Sequence, residues 1–160
     1  MVKRQSRRTL AAAMALSVAA AALAGAALAQ TAAEKAVAAR QANFKQLGAS
    51  FKTINDELKK DAPDMAAIGA AATKMRDLAV GLPSWFPKGS GAESGAKTRA
   101  KAEIWTDAAG FAVVQRGLQT QTAQLQKLAA AGDLAGVRGQ VKPTGGACAA
   151  CHDKYRTPQP

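Results

Sequence analysis

The segment GGACAACHDKYR, residues 145–156, contains both cysteines of the chain, Cys148 and Cys151, and its only histidine, His152. Each residue of an α-helix turns by about 100°, so Cys151 lies about 60° to one side of Cys148 and His152 about 40° to the other. If this segment is helical, two thiols and one imidazole project from a single face. The rest of the fold has to build a site around that face.

The C-x-x-C-H spacing is the pattern of a c-type haem attachment site. Two thiols can each form a thioether with a haem vinyl group, and the imidazole can bind the iron. The motif therefore predicts one haem c per chain, covalently attached through Cys148 and Cys151, with His152 as the iron ligand.

Three other uses of these residues explain the sequence less well. A zinc site takes four protein ligands, or three and a water, and the chain has no further Cys or His. A thioredoxin-like pair begins a helix that follows a strand, and no strand pattern precedes Cys148. A structural disulfide suits an oxidising compartment but leaves His152 without a role.

The N-terminus has the pattern of a secretory signal peptide. MVKRQSRRTL contains four basic residues and no acidic one, and an Ala-rich apolar run and ALAQ follow it. This arrangement predicts cleavage after Ala29. Residues 1–29 are then the signal peptide, and residues 30–160 form one periplasmic domain with no transmembrane anchor after processing.

The mature chain is basic without being organised for nucleic acid. Four of the 22 basic residues and none of the 11 acidic ones lie in the signal, so the formal charge after cleavage is +7. The basic residues are scattered and form no tract, which argues against a nucleic-acid partner. An anionic redox partner or membrane surface stays compatible with this charge.

The spacing of apolar residues predicts the first two helices. The seam of the first helix has intervals of three and four residues, and DAPD at 61–64 ends it. The second helix ends near GLPSWFP, where Trp85 and Phe86 are expected to pack onto the bundle. The two seams are Val37, Phe44, Leu47, Phe51, Ile54 and Leu58, and Met65, Ile68, Ala72, Met75 and Ala79.

Two further helices complete the prediction. The third is expected from about Thr98 to Ala131, and Gly132 ends it. The fourth begins after Asp133 and carries the C-x-x-C-H motif, with Pro143 and the pair Gly145-Gly146 expected to kink or interrupt it. Four helices with short connections and one long loop predict an all-α, antiparallel four-helix bundle with one covalently bound haem c.

Four segments together resemble the cytochrome c′ family of class II c-type cytochromes: RQANFKQLG (40–48), LPSWFPKGSG (82–91), KAEIWTDAAGF (101–111) and GGACAACHDKYR. The resemblance implies that Arg156 lies beside the proximal haem face. It also places Arg40 and Gln41 near the haem propionates or edge. In low-spin relatives a Met of the first helix binds the iron, and here the matching residue is Phe44, which cannot.

The resemblance, combined with Phe44, predicts a five-coordinate, high-spin haem. Such a protein would exchange electrons and bind NO or CO at the open position, and would not be an enzyme. The resemblance also implies a homodimer packed through the first two helices. The redox partner cannot be identified from these residues.

Two alternatives stay open at this point. One is a low-spin, six-coordinate electron carrier with Met65, Met75 or a Lys on the iron, although Lys45, next to Phe44, points about 100° away from it. The other is an enzyme, either a haem peroxidase or a disulfide oxidoreductase. A peroxidase needs a distal acid–base group, usually His, and no histidine remains after His152 is used.

Overall fold

The computed structural model describes residues 32–158, and within that range the fold is helical. Helix α1 spans residues 32–57. It is followed by α2 (Met65–Gly81), the short α3 (Glu103–Thr106), α4 (Ala108–Ala130) and α5 (Leu134–Tyr155). The predicted signal peptide and the start of the mature chain lie outside the described residues. No helix of the described part has the length and apolar character needed to cross a membrane.

The four long helices share one apolar core. Leu47 and Ile54 of α1 pack with residues of the other three helices in a single cluster, and Trp85 and Phe86 pack against it as predicted. The members from α2, α4 and α5 include Ile68, Ala72, Met75, Ala79, Leu118, Leu125 and Val137. The predicted seams therefore face inward, and the four-helix bundle is confirmed.

Aspartates begin three of the helices. Asp64 accepts hydrogen bonds from the backbone N–H groups of Ala66 and Ala67 at the start of α2. Asp107 and Asp133 do the same for Gly110 in α4 and Gly136 in α5. Side-chain acceptors at these positions satisfy N–H groups that have no partner inside the helix. Gly132, with φ +69°, makes the left-handed turn that separates α4 from α5.

The predicted third helix, from about Thr98 to Ala131, is divided into the short α3 and the long α4. Residues 99–101 are not helical, because their backbone pairs with residues 155–157. Lys101 N donates to Tyr155 O at 3.1 Å, and Thr157 N donates to Arg99 O at 2.9 Å. These long-range hydrogen bonds compete with a helical conformation, so the helical residues begin only at Glu103, and Asp107, with φ −116° and ψ 55°, separates α3 from α4.

Pro143 and the glycine pair were expected to kink or interrupt the last helix, and the expected interruption is wrong. Helix α5 runs through them without a break. Proline removes one helical hydrogen bond. Val137 and Thr144, on either side of it, are fully buried, and Thr144 Oγ1 donates to Gln140 O at 2.9 Å. Packing along the buried face offsets the lost bond.

Truncating the core at Leu125 is expected to destabilise the bundle strongly. Leu125 lies in the last third of α4 and is 0% exposed, so Leu125→Ala leaves a cavity and should lower the free energy of unfolding by about 2–5 kcal/mol. Val113 on the same helix is 58% exposed, and Val113→Ala should change it by less than about 0.5 kcal/mol. Denaturant unfolding of the holoprotein measures both, and equal effects would contradict this core.

Candidate functional site

Helix α5 brings the cysteines and the histidine to one wall of a large cavity. Cys148, Cys151, His152 and Arg156 all line this cavity, which has a volume of about 460 Å³. That volume lies in the range of about 300–1,000 Å³ that is usual for cofactor and ligand pockets. The other walls come from α1, from α2 and the loop that follows it, from the segment before α4, and from α4 itself.

The cavity is lined mainly by apolar and aromatic side chains. The chain has seven aromatic residues. Five of them line the cavity: Phe44, Phe51, Phe86, Phe111 and Tyr155. The two tryptophans each contact a lining ring, Trp85 with Phe44 at 5.1 Å and Trp105 with Phe86 at 6.3 Å between centroids. Such walls give the space in front of the two thiols a largely apolar lining.

The same burial controls the protonation of the α5 residues. It raises the pKa of the Cys148 thiol, and burial together with the neighbouring Cys148 raises the pKa of Cys151 to about 11. Burial and the nearby Arg156 lower the pKa of His152. At neutral pH the site therefore presents two protonated thiols and a neutral imidazole. Two thiols and one uncharged nitrogen donor facing an apolar cavity fit a haem c.

Arg40 is the buried cation of the site. It is 3% exposed and lines the cavity from α1. Its Nη1 donates to Ser90 Oγ at 2.9 Å, its Nη2 donates to Thr98 Oγ1 at 2.7 Å, and its guanidinium lies 5.1 Å from the centre of the Phe86 ring. Burial lowers its pKa, although a guanidinium stays charged at neutral pH.

Gln41 and Arg156 line the cavity at its more exposed edge. Gln41 Nε2 donates to Lys97 O at 2.8 Å. Arg156 is exposed and pairs through its backbone with Ala100. Arg99 also lines the cavity, and its Nε donates to Thr157 O at 2.9 Å. The structure thus brings all seven predicted site residues to one cavity and adds Arg99 to them.

The two methionines considered as alternative iron ligands lie in different places. Met75 is 0% exposed and lines the cavity from α2. Met65 packs at the edge of the core and Lys45, next to Phe44, is exposed on α1, and neither belongs to the cavity wall. Of these three residues, only Met75 lines the cavity.

A hydrogen-bonded cluster behind the site was not predicted from the sequence. Tyr155 is buried, and its hydroxyl donates to Asp107 Oδ2 at 2.9 Å, while Lys154 Nζ donates to the same oxygen at 2.6 Å. The cluster ties the last turn of α5 to the first turn of α4. Asp107 and Tyr155 are 48 residues apart, so no local pattern could reveal the pair.

The Asp107 carboxylate should stabilise the fold down to strongly acidic pH. Hydrogen bonds from Lys154, Tyr155 and the Gly110 backbone lower its pKa to about 2. A group with a lowered folded-state pKa stabilises the fold above its unfolded pKa, and that contribution is lost as the pH falls through about 2. Thermal unfolding of wild type and Asp107→Asn should therefore differ at pH 7 and converge towards pH 2.

Lys154→Ala tests the stated cause of this shift. Lys154 is the largest contributor to the lowered pKa of Asp107. In Lys154→Ala that pKa should therefore be higher, and the stability contributed by the carboxylate should be lost at a higher pH than in wild type. Acid effects that are common to all three proteins cancel in the differences between them. A difference in unfolding temperature between wild type and Asp107→Asn that stays the same at every pH would contradict the lowered pKa of Asp107.

Comparison with known proteins agrees with this geometry. Residues 35–156 match the family model described as cytochrome c′. A cytochrome c′ of Alcaligenes xylosoxydans xylosoxydans is 37% identical over 124 residues, which is 77% of this chain and 94% of that protein.

Two solved structures are also similar. One is a cytochrome c′ described as having an unusual ligand-controlled dimer dissociation, with a TM-score of 0.72 and 26% identity over 79% of this chain and 97% of that one. The other is a ferrous variant of the Alcaligenes xylosoxidans cytochrome c′ with bound NO, with a TM-score of 0.71 and 31% identity over the same shares. This chain belongs to the cytochrome c′ family, whose members bind one covalent haem c.

Proposed function

We propose that this protein is an exported cytochrome that exchanges electrons and binds small uncharged gases at a five-coordinate haem c. Residues 1–29 act as the signal peptide, and residues 30–160 form the mature periplasmic domain. The observation that carries the proposal is the placement of Cys148, Cys151 and His152 on one wall of an apolar cavity with Phe44.

The residues of α5 hold the prosthetic group. Cys148 and Cys151 provide the two thiols for its covalent attachment, and neutral His152 provides a nitrogen lone pair for the iron. The bound group supplies an iron that changes oxidation state by one electron and can accept a gas ligand. Arg40, Arg99 and Arg156 give the cavity three positive charges suited to the two haem carboxylates. Gln41 adds an amide at the same edge.

Phe44 would cover the haem iron without binding it, because a phenyl ring has no donor atom. It lines the cavity, and its ring packs against Trp85 and Phe86. Arg40, one turn earlier, is engaged by Ser90 and Thr98. Bound oxygen depends on a hydrogen-bond donor near the iron more than NO or CO does, so an apolar surface favours NO and CO. The absence of a second histidine in the chain argues against peroxidase activity.

We also propose that the protein is a homodimer whose redox partner is anionic. A relative of similar fold is described by its ligand-controlled dimer dissociation. The mature charge of +7 favours a partner of opposite sign. Sedimentation equilibrium of the ferrous protein tests the dimer, and a monomer at micromolar concentration, with and without CO, would contradict it.

Optical spectra of the mature protein test the proposed function. The ferric and ferrous forms should show high-spin haem c, and the ferrous spectrum should shift when CO is added. A low-spin spectrum that does not respond to CO would contradict the open position.

A second candidate function is a six-coordinate electron carrier with Met75 as the sixth ligand. The observation that favours it is that Met75 lines the cavity. Met75→Leu keeps the volume of the side chain and removes the thioether. If Phe44 covers the iron, this substitution should leave the spin state unchanged. Conversion of a low-spin wild type into a high-spin variant would establish the second candidate.

A further inference from the structure

Phe44 lies between two aromatic rings of the loop that follows α2. The Trp85 ring meets it edge to face, at 5.1 Å between centroids and an interplanar angle of 88°. The Phe86 ring lies at 6.1 Å and 56°. Aromatic pairs with centroids about 4.5–7 Å apart are attractive beyond the area that they bury, so both rings resist movement of Phe44.

The two neighbours of Phe44 are not held equally. Phe86 also contacts Phe111 at 5.0 Å and Trp105 at 6.3 Å, and the Arg40 guanidinium lies over its ring. Trp105 Nε1 donates to Phe86 O at 3.2 Å, which fixes the backbone of Phe86 as well. Phe86 is therefore a rigid part of the wall.

Trp85 has a different environment. It is half-buried at the end of the 3₁₀ helix Leu82–Trp85, and within the described residues its aromatic contact is with Phe44. Its indole lies over Gly81, where an added Cβ would be 3.5 Å from Nε1. The indole therefore packs against the end of α2 and the core, and it does not belong to the cavity lining.

From this arrangement we propose that Trp85 is a positioning residue that holds Phe44 over the open iron position and thereby limits the entry of NO and CO. The inference rests on the proposed function. A gas that approaches the iron has to displace the Phe44 ring. Because both neighbouring rings are held by other parts of the fold, this displacement has to break the contacts of Phe44 with Phe86 and with Trp85, and the Trp85 contact is the shorter, edge-to-face one. Trp85 acts on the gas through Phe44 and does not touch the iron.

Replacing the indole measures this effect. In Trp85→Leu the edge contact is lost, and the rate constant for CO association with the ferrous protein should rise about fivefold, which corresponds to about 1 kcal/mol. Trp85→Phe keeps an aromatic edge and should retain a rate near that of wild type. Crystal structures of the ferrous, CO-free proteins provide a second readout, since Phe44 should occupy one rotamer in wild type and at least two in Trp85→Leu.

Trp105→Leu is the matched control. The same substitution removes an indole that contacts Phe86 on the other side and does not contact Phe44. Its CO association rate should change less than twofold, because Phe86 keeps its contacts with Phe111 and with the Arg40 guanidinium. Equal acceleration by Trp85→Leu and Trp105→Leu, or an unchanged rate in Trp85→Leu, would overturn the inference and leave gas binding intact. Failure of the wild type to bind CO would overturn the proposed function together with the inference.

Discussion

The double substitution Cys148→Ala and Cys151→Ala is expected to abolish covalent haem attachment completely. No thiol remains in the chain, so no thioether can form. Haem staining after denaturing electrophoresis should be absent, and the mass of the mature protein should equal that of the polypeptide alone. Folding should suffer as well, because an apolar cavity of about 460 Å³ would then lose the group that fills it.

Ala150→Ser is the control for this experiment. Ala150 lies between the two cysteines in sequence and is exposed on α5. The substitution alters the motif without touching the cavity, so covalent haem should be retained in full. Haem that stays covalently bound in the double variant would contradict the assignment of the cysteines.

Phe44→Ala should raise the affinity of the ferrous protein for CO by about 10- to 100-fold. The phenyl ring makes two aromatic contacts that a gas has to break, at about 0.5–1.5 kcal/mol each, and the alanine variant makes neither. Titration with CO measures the affinity, and stopped-flow mixing shows whether the gain lies in the association rate, as a steric filter requires.

Phe51→Ala tests whether the gain in CO affinity depends on the position of Phe44 or only on the larger cavity volume. Phe51 lies two turns further along α1 and also lines the cavity, so this substitution enlarges the cavity by the same amount. Its effect on CO affinity should stay within about threefold. An equal gain in both variants would mean that cavity volume controls access, and that Phe44 has no special position.

The parts of the fold that follow local rules were predictable. The seams of α1, α2 and α4 repeat every three or four residues, and Leu47, Ile68 and Leu118 meet in the core as that spacing requires. Gly132 predicts the end of one helix and Asp133 the start of the next, and these two residues lie between α4 and α5. The C-x-x-C-H motif was readable because five consecutive residues contain all of its chemistry.

The parts that depend on distant residues were not predictable. Residues 99–101 have a helix-compatible sequence, but their backbone partners lie at 155–157. The Ser90 and Thr98 hydroxyls that hold Arg40 are 50 and 58 residues away from it. At Pro143 the local signal was misleading instead. Proline usually ends a helix, but α5 continues through it because its buried face packs well.

The measurement that tests the central claim most directly is the low-temperature EPR spectrum of the mature ferric wild-type protein. The claim is that His152 is the iron's axial protein ligand and that Phe44 covers a vacant opposite position. If both assignments are right, the ferric protein gives a high-spin signal that persists in Met75→Leu. A purely low-spin signal in the wild type would mean that a sixth side chain binds the iron, and would contradict the claim.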